Sequence, residues 1–308
     1  MQQALRKNLL RSAASFLPMS GDVRCAPIGS SVQSNLRGSR GMAHDVAPVN
    51  LVLLSQDLHQ DTALPAGEAG RSLASVHATL NDLLPLGEIA IYEAGGGASS
   101  YLPAGLLRRS RVTVVDIDPA QIANNGYAET RICDDVQTHR LLPDSIDLVT
   151  CYNVIEHLPD VEAALSRFAE AVRPGGLILI GAPHPRSLSG LVTKYSPHWF
   201  HVWFYRYIRG HARAGEPGEP PFPVHYHPLV LPQRLKAFMA RKGFETAYER
   251  VYESPRFAEL RVRHRALAAL VDGATCVMNA LLGNRVNLRH GDYHLVMRKR
   301  ATALQNVV

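Results

Sequence analysis

The sequence predicts an α/β fold in which a mostly parallel sheet is covered by helices on both faces. Two observations support this prediction. From Ile89 onward, short apolar segments typical of buried strands alternate with segments that have helical periodicity. The segment IAIYEAGGGAS, residues 89–99, also runs from a strand directly into three consecutive glycines. Such a turn lets the backbone approach a ligand and directs free N–H groups towards it.

The individual elements follow from apolar periodicity and from capping residues. Asp118 and Asp160 are suited to begin helices, and Gly243 to follow the end of one. We expect strands at residues 89–93, 112–116, 130–133, 146–151, 177–181, 244–252 and 293–297. We expect helices at residues 99–109, after Asp118-Pro119, from Val161 to a stop at Pro174-Gly175-Gly176, and at 232–243.

The positive charge of the chain is concentrated at its N-terminus. The net charge is +6, of which residues 1–41 carry +5, so the rest of the chain carries only +1. A nearly neutral body argues against a nucleic-acid groove as the main function. We expect a disordered or targeting tail at 1–45, followed by one domain at 46–308.

The cellular location is predicted from the tail and the cysteines. Residues 1–17 lack acids and resemble a mitochondrial transit peptide if the host is eukaryotic; the alternatives are a disordered extension or a start at Met42. The four cysteines show no CxxC spacing, which favours a reducing compartment. No apolar run approaches 20 residues, so we expect no transmembrane helix. The predicted location is the cytoplasm, with the mitochondrion as the alternative.

A nucleoside-binding site is indicated by Asp116, which ends the second strand 21 residues beyond Gly95. An acid at that position can accept hydrogen bonds from ribose hydroxyls. The dinucleotide fingerprint G-x-G-x-x-G fails, because its last position is Ser100. S-adenosylmethionine has an ammonium group and no phosphates, which suits Glu93 before the turn. Asp135 could face the adenine amino group or be a solvated turn residue.

These motifs together resemble a known family. The series EAGGG (93–97), VVDIDP (114–119), DDV (134–136), CYNVIEHLPD (151–160) and VRPGGLILIGAP (172–183) is similar to class I S-adenosylmethionine-dependent methyltransferases of the small-molecule type. The resemblance covers about residues 89–183 and is weaker from 230 onward. It implies a three-layer, Rossmann-like sheet of seven strands with an antiparallel last strand. It also implies methyl transfer, mainly O-methylation, to a small-molecule or lipid- or sugar-linked acceptor.

The resemblance further implies roles for individual residues. The methionine end of the cofactor would contact Glu93, Gly95 and Gly97, with Asn153 beneath it. The ribose would be held by Asp116, and the adenine would lie among Ile117, Asp135 and Val136. Ser99 stands where the family often has a glycine, which affects the expected geometry of the turn.

The acceptor side is predicted from histidines. His157 follows the fourth strand and is either a general base or a loop residue. Residues 184–229 form an insertion with six of the fourteen histidines, which we interpret as a lid or a packed cap. His225 or His227 in this lid would reach the acceptor. The histidine pairs lack nearby cysteines or acids, which argues against a metal.

An apolar helical stripe at residues 257–282 has two interpretations. It is either a core or dimer helix, or a surface that meets a membrane or a lipid-linked substrate. Two other functional hypotheses stay open at this point: a non-catalytic partner protein with the same fold, and a nicotinamide-dependent oxidoreductase. The oligomeric state and the methyl acceptor stay open as well.

Overall fold

The computed structural model describes residues 67–216, 221–225, 227–283 and 287–301. The predicted tail at 1–45 lies outside the described residues. The helices are α1 (Glu68–Leu83), α2 (Ala104–Arg108), α3 (Pro119–Ala123), α4 (Val161–Ala171), α5 (Leu188–Tyr195), α6 (His198–Tyr207), α7 (Pro232–Arg241), α8 (Pro255–Arg263) and α9 (Arg265–Leu281). Among these residues, no helix is long and apolar enough to cross a membrane.

The strands form one seven-stranded sheet in the order β3-β2-β1-β4-β5-β7-β6. They are β1 (Ile89–Ala94), β2 (Ser110–Asp116), β3 (Thr130–Cys133), β4 (Ile146–Tyr152), β5 (Val172–Pro183), β6 (Phe244–Glu253) and β7 (His290–Lys299). The first five strands pair in parallel, and β7 is antiparallel to both β5 and β6. The predicted fold class is therefore confirmed, including the antiparallel last strand.

The core lies on both faces of the sheet, as expected for parallel strands. On one face, α4 and α7 pack against alternate residues of β4, β5 and β7, including Val149, Ile178 and Leu295. On the other face, α1 and α2 cover Leu148, Leu177 and their neighbours. The caps work as predicted: Asp118 accepts hydrogen bonds from Ala120 N and Gln121 N, and Asp160 accepts one from Ala163 N.

The predicted helix at 99–109 is wrong in its length. Helix α2 spans only Ala104–Arg108, and Pro103 before it has an extended backbone with φ −67° and ψ 140°. The residues before Pro103 are held by the sheet instead, since Ser100 Oγ donates a 2.5 Å hydrogen bond to Glu93 Oε1. Strand β5 also begins earlier than predicted, at Val172, and it includes the glycines expected to precede it.

The apolar stripe at 257–282 belongs to two helices, not one. They are separated at His264, whose φ of −138° and ψ of 67° are not helical and whose Nε2 lies 3.0 Å from Ile208 O. The buried residues of α9 are Ala268 and Thr275. Several residues of the predicted stripe face solvent instead; Met278 is 39% and Leu281 81% exposed.

The insertion between β5 and α7 contains α5 and α6, and backbone hydrogen bonds tie it to the sheet. His225 N donates to Glu156 O at 2.8 Å, and Leu188 N donates to Leu288 O at 3.0 Å. The insertion therefore lies over the carboxyl ends of β4 and β5, where ligands bind in open α/β sheets.

The packing of α4 gives the first prediction. Leu165 is fully buried between this helix and the sheet. Leu165→Ala should lower the free energy of unfolding by about 2–5 kcal/mol, because it removes buried methyl groups and leaves a cavity. Urea unfolding followed by circular dichroism measures this change. The control Glu170→Ala, an exposed position on the same helix, should change it by less than about 0.5 kcal/mol. Equal effects of the two variants would contradict the described packing.

Candidate active site

The glycine turn after β1 is built so that only glycine fits at its first position. Gly95 and Gly97 have φ values of 65° and 54°, which favour glycine. Gly95 N donates a 2.7 Å hydrogen bond to Val115 O on β2. A Cβ atom at Gly95 would lie 2.3 Å from Val154 Cγ2. The turn therefore lies close to the segment after β4, and the ends of β1, β2 and β4 are brought together.

Asp116, at the end of β2, holds this turn from the side. Its Oδ2 accepts a 3.0 Å hydrogen bond from Gly97 N, and its Oδ1 accepts one of 2.9 Å from Asp118 N. Burial raises the pKa of Asp116, and the hydrogen bonds from the Asp118 and Gly97 amides oppose this rise. The next residue, Ile117, is 72% exposed. An exposed isoleucine beside the turn is available to pack on a flat ring, as the adenine prediction requires.

Glu93 lies beneath the turn and is 3% exposed. Both of its carboxylate oxygens bind side chains of the chain itself: Ser100 Oγ donates to Oε1, and Tyr127 OH donates to Oε2. Burial raises the pKa of Glu93, while these hydrogen bonds act in the opposite direction. The structure therefore places Glu93 beneath the glycine turn and fixes the orientation of its carboxylate.

Asp135 and Val136 follow β3, at the next strand end. The Asp135 carboxylate accepts hydrogen bonds from Gln137 N at 2.8 Å and from Gln137 Nε2 at 3.0 Å. Val136 is 6% exposed and belongs to the core. Gln137 thus fixes the Asp135 side chain, and Val136 supports the loop from beneath.

Asn153, directly after β4, has an unusual backbone. Its φ of 55° is uncommon outside glycine, although asparagine tolerates it better than most residues. Asn153 N donates a 2.7 Å hydrogen bond to Gly181 O on β5, which stabilises this conformation. The side chain is exposed at the same edge of the sheet as the glycine turn.

A buried tyrosine–histidine cluster beside the turn was missed by the sequence analysis. His294 is fully buried; its Nδ1 lies 2.8 Å from Ser72 Oγ, and its Nε2 bonds with Tyr252 OH at 2.8 Å and also with Tyr152 OH. Burial lowers the pKa of His294 to about 3, so its ring is neutral. Tyr101 stacks on Tyr152 with ring centroids 3.8 Å apart.

Gly181 is the residue from which this cluster could have been predicted in the sequence. This residue pairs with Tyr152 on one side and His294 on the other. A Cβ atom at Gly181 would lie 2.4 Å from the Tyr152 ring. A glycine at the end of an otherwise bulky strand thus marks the place where a neighbouring ring crosses it.

A cavity opens beside the glycine turn, lined among others by Glu93, Gly95, Gly96, Tyr101 and Tyr152. Its lining combines an acid, bare backbone and aromatic rings. These residues fit the amino-acid end of S-adenosylmethionine, whereas a pyrophosphate would need a third glycine at the start of the helix.

The three predicted catalytic histidines have different surroundings. His157 Nδ1 lies 2.6 Å from Pro223 O, and burial lowers the pKa of its ring. His225 is exposed, and its backbone N–H bonds to Glu156. His227 Nδ1 accepts a 3.2 Å hydrogen bond from Leu229 N, so it caps the short turn Pro228–Val230. The described part of the chain contains no cluster of three or more His, Cys, Asp or Glu residues suited to a metal.

The chain is similar in sequence to known methyltransferases. A family model described as a methyltransferase domain matches residues 92–178. A ubiquinone biosynthesis O-methyltransferase of Hydrogenovibrio crunogenus is 24% identical over 162 residues, which cover 52% of this chain and 58% of that protein. One of Photorhabdus laumondii is 33% identical over 73 residues, which cover 21% of this chain and 30% of that protein. The chain thus spans 58% or less of the length of these two relatives.

Among solved structures, a SAM-dependent methyltransferase from Methanosarcina mazei is similar with a TM-score of 0.45 and 15% identity, over 72% of this chain and 97% of that chain. The family match runs from within β1 to within β5 and includes the glycine turn, Asp116 and Asn153. The order of these motifs and the antiparallel last strand agree with the match. Residues 92–178 are therefore a methyltransferase domain by sequence, and the sheet that contains them has the strand order expected for the class I S-adenosylmethionine-dependent type.

Proposed function

We propose that this chain transfers a methyl group from S-adenosylmethionine to a hydroxyl group of a small-molecule acceptor. The observation that carries the proposal is the glycine turn, which is held by Asp116 and pressed against Val154 at the adjoining ends of β1, β2 and β4. An oxygen acceptor is favoured because the relatives described above are named as O-methyltransferases.

One group of residues in the site would bind the methyl donor, and another group would bind the acceptor. S-adenosylmethionine supplies a methyl group on a positively charged sulfur and is consumed as a substrate. Its methionine end would be received by Glu93, Gly95, Gly97 and Asn153. Its ribose would be held by Asp116, and its adenine would lie among Ile117, Asp135 and Val136. Displacement at the methyl carbon depends above all on alignment of the two reactants. The ordered turn and the Tyr101–Tyr152 stack would provide this alignment.

His157 is suited to bind the methyl acceptor because its neutral tautomer leaves one ring nitrogen free to accept a hydrogen bond. Its Nδ1 faces the Pro223 carbonyl, so in the neutral ring this nitrogen carries the hydrogen and Nε2 is left as an acceptor. Because burial lowers its pKa, the ring is neutral at pH 7. We propose that His157, with His225 nearby, binds the acceptor hydroxyl, and that His227 only shapes the lid.

We propose a lipid-linked acceptor, reached at a membrane surface. Trp199, Trp203 and Tyr207 follow one another at helical spacing on α6 and are 69%, 44% and 69% exposed. Helix α9 also exposes apolar side chains, with Leu270 at 71% and Leu281 at 81%. Exposed aromatic and apolar helix faces with nearby arginines suit the interface of an anionic bilayer. A sugar-linked acceptor would leave these faces unexplained.

The domain limits and the location are part of the same proposal. We assign residues 46–308 to the methyltransferase domain and residues 1–45 to a disordered or targeting tail. The protein would act in the cytoplasm, or in the mitochondrion of a eukaryotic host, where the scattered cysteines stay reduced.

Loss of donor binding tests the cofactor site. Asp116→Ala and Gly95→Asp should each weaken binding of S-adenosylmethionine at least tenfold. The first removes the acceptor that holds the turn, and the second places a side chain where Val154 lies. Titration calorimetry measures the affinities. Asp82→Ala, an exposed acid on α1, is the matched control and should bind like the wild type. Unchanged affinity in both site variants would contradict the assigned site.

Vesicle binding tests the acceptor class. The wild type should float with vesicles of phosphatidylcholine and phosphatidylglycerol. Trp199→Ser combined with Trp203→Ser should reduce the bound fraction several-fold, because it removes the aromatic side chains that would enter the interface. The control Leu142→Ser changes an apolar residue that is 76% exposed, in the loop before β4. It should bind normally. Equal binding of both variants, or no binding by the wild type, would contradict the membrane proposal.

A further inference from the structure

Glu156 is a buried carboxylate on the acceptor side that the proposed function does not yet use. It lies in the 3₁₀ turn Ile155–His157, directly after β4, and is 5% exposed. Its backbone carbonyl accepts a 2.8 Å hydrogen bond from His225 N in the insertion. Glu156 therefore lies beneath the lid and at the sheet edge that carries Asn153.

The side chain of Glu156 is incompletely bonded. Its Oε2 is buried and has no hydrogen-bond partner among the described residues. Its Oε1 lies 3.7 Å from His157 Nε2, beyond hydrogen-bond distance. Buried polar atoms in folded proteins are nearly always hydrogen-bonded, because an unpaired one costs free energy. An unpaired carboxylate oxygen at this position is suited to receive a proton or a donor group from a ligand.

The charges around Glu156 come from several elements of the fold. Burial raises the pKa of Glu156 to about 7. A hydrogen bond from its own backbone N–H and the Arg256 guanidinium oppose this rise, and the Asp292 carboxylate adds to it. Burial also raises the pKa of Asp292. The other titratable groups that face Glu156 are Cys151, Tyr293 and His157. A carboxylate that titrates near neutral pH is matched to proton transfer under ordinary conditions.

We propose that Glu156 accepts the proton of the acceptor hydroxyl group during methyl transfer. This inference rests on the proposed function. As the O–H bond of the acceptor breaks, its proton passes to Glu156 Oε2, and the oxygen forms a bond to the methyl carbon. The bond from that carbon to the sulfonium sulfur breaks, and its electron pair stays on sulfur. The products are a methyl ether, S-adenosylhomocysteine and protonated Glu156, which then releases its proton to water.

His157 has a different role in this arrangement. Its Nδ1 is engaged by the Pro223 carbonyl, and its Nε2 faces the same carboxylate. A neutral ring between the lid and Glu156 positions the acceptor hydroxyl without taking its proton. Glu156 is then the base, and His157 is a positioning residue.

Substitution of the two residues separates these roles. The assay measures transfer of labelled methyl from S-adenosylmethionine into a cell lipid extract. Glu156→Gln keeps the shape but not the charge, and it should lower the rate about 100-fold or more, while calorimetry shows unchanged donor affinity. His157→Gln should keep a larger part of the rate. Full activity in Glu156→Gln would overturn the inference and leave the proposed function intact. Absence of transfer by the wild type would overturn both.

Titration of the carboxyl group provides a test that does not depend on activity. In protein labelled with ¹³C at the glutamate carboxyl, one resonance should titrate near pH 7 and be missing from Glu156→Gln. The rate of the wild type should rise with pH through the same range, because the carboxylate is the active form. Asp292→Asn removes a like charge and should move both curves to lower pH. A Glu156 resonance that titrates near pH 4, the ordinary range of glutamate, would overturn the inference.

Discussion

The candidate site depends on one steric constraint, the close approach of the Gly95 backbone to Val154. A side chain at residue 95 would collide with that valine, so the turn closes against the segment after β4 only because residue 95 is glycine. Asp116 adds the second restraint by accepting the Gly97 N–H group. The three strand ends that meet here carry nearly all of the residues assigned to the methyl donor.

The acceptor side is arranged on a different principle. The polar groups proposed for it come from distant parts of the chain: the buried Glu156 after β4, Asp292 on β7 and the exposed His225 in the insertion. Burial disfavours charge on both carboxyl groups, so it raises the pKa of Asp292 and raises the pKa of Glu156 to about 7. In the proposed arrangement, the donor site is formed by backbone shape and the acceptor site by a desolvated carboxyl group.

Much of the fold could be predicted from the sequence because the signals are local. Asp118 and Asp160 cap their helices as expected, and the strands lie within a few residues of their predicted positions. The helix predicted at 99–109 failed because Ser100 bonds to Glu93, a tertiary contact that periodicity does not report. The stripe at 257–282 left a core or dimer helix and a membrane-facing surface open, because helical spacing does not tell which face of a helix is covered.

The tyrosine–histidine cluster was beyond sequence reasoning for a similar reason. Tyr152 and His294 are 142 residues apart and meet only because β7 inserts next to β5. The positions of Asp116 and the glycines at adjoining strand ends were predictable, since their spacing reflects a single strand–turn–helix–strand unit. The burial of Glu156 could not be predicted, because it depends on β7, on the start of α8 and on the insertion together.

The glycine turn and Asp116 are proposed to form the site for S-adenosylmethionine. The most direct measurement is calorimetric titration of the wild-type chain with S-adenosylmethionine and, separately, with NAD⁺ and NADH. Saturable binding of S-adenosylmethionine with no heat from either nicotinamide nucleotide is the predicted result. Binding of a nicotinamide nucleotide without binding of S-adenosylmethionine would contradict the account.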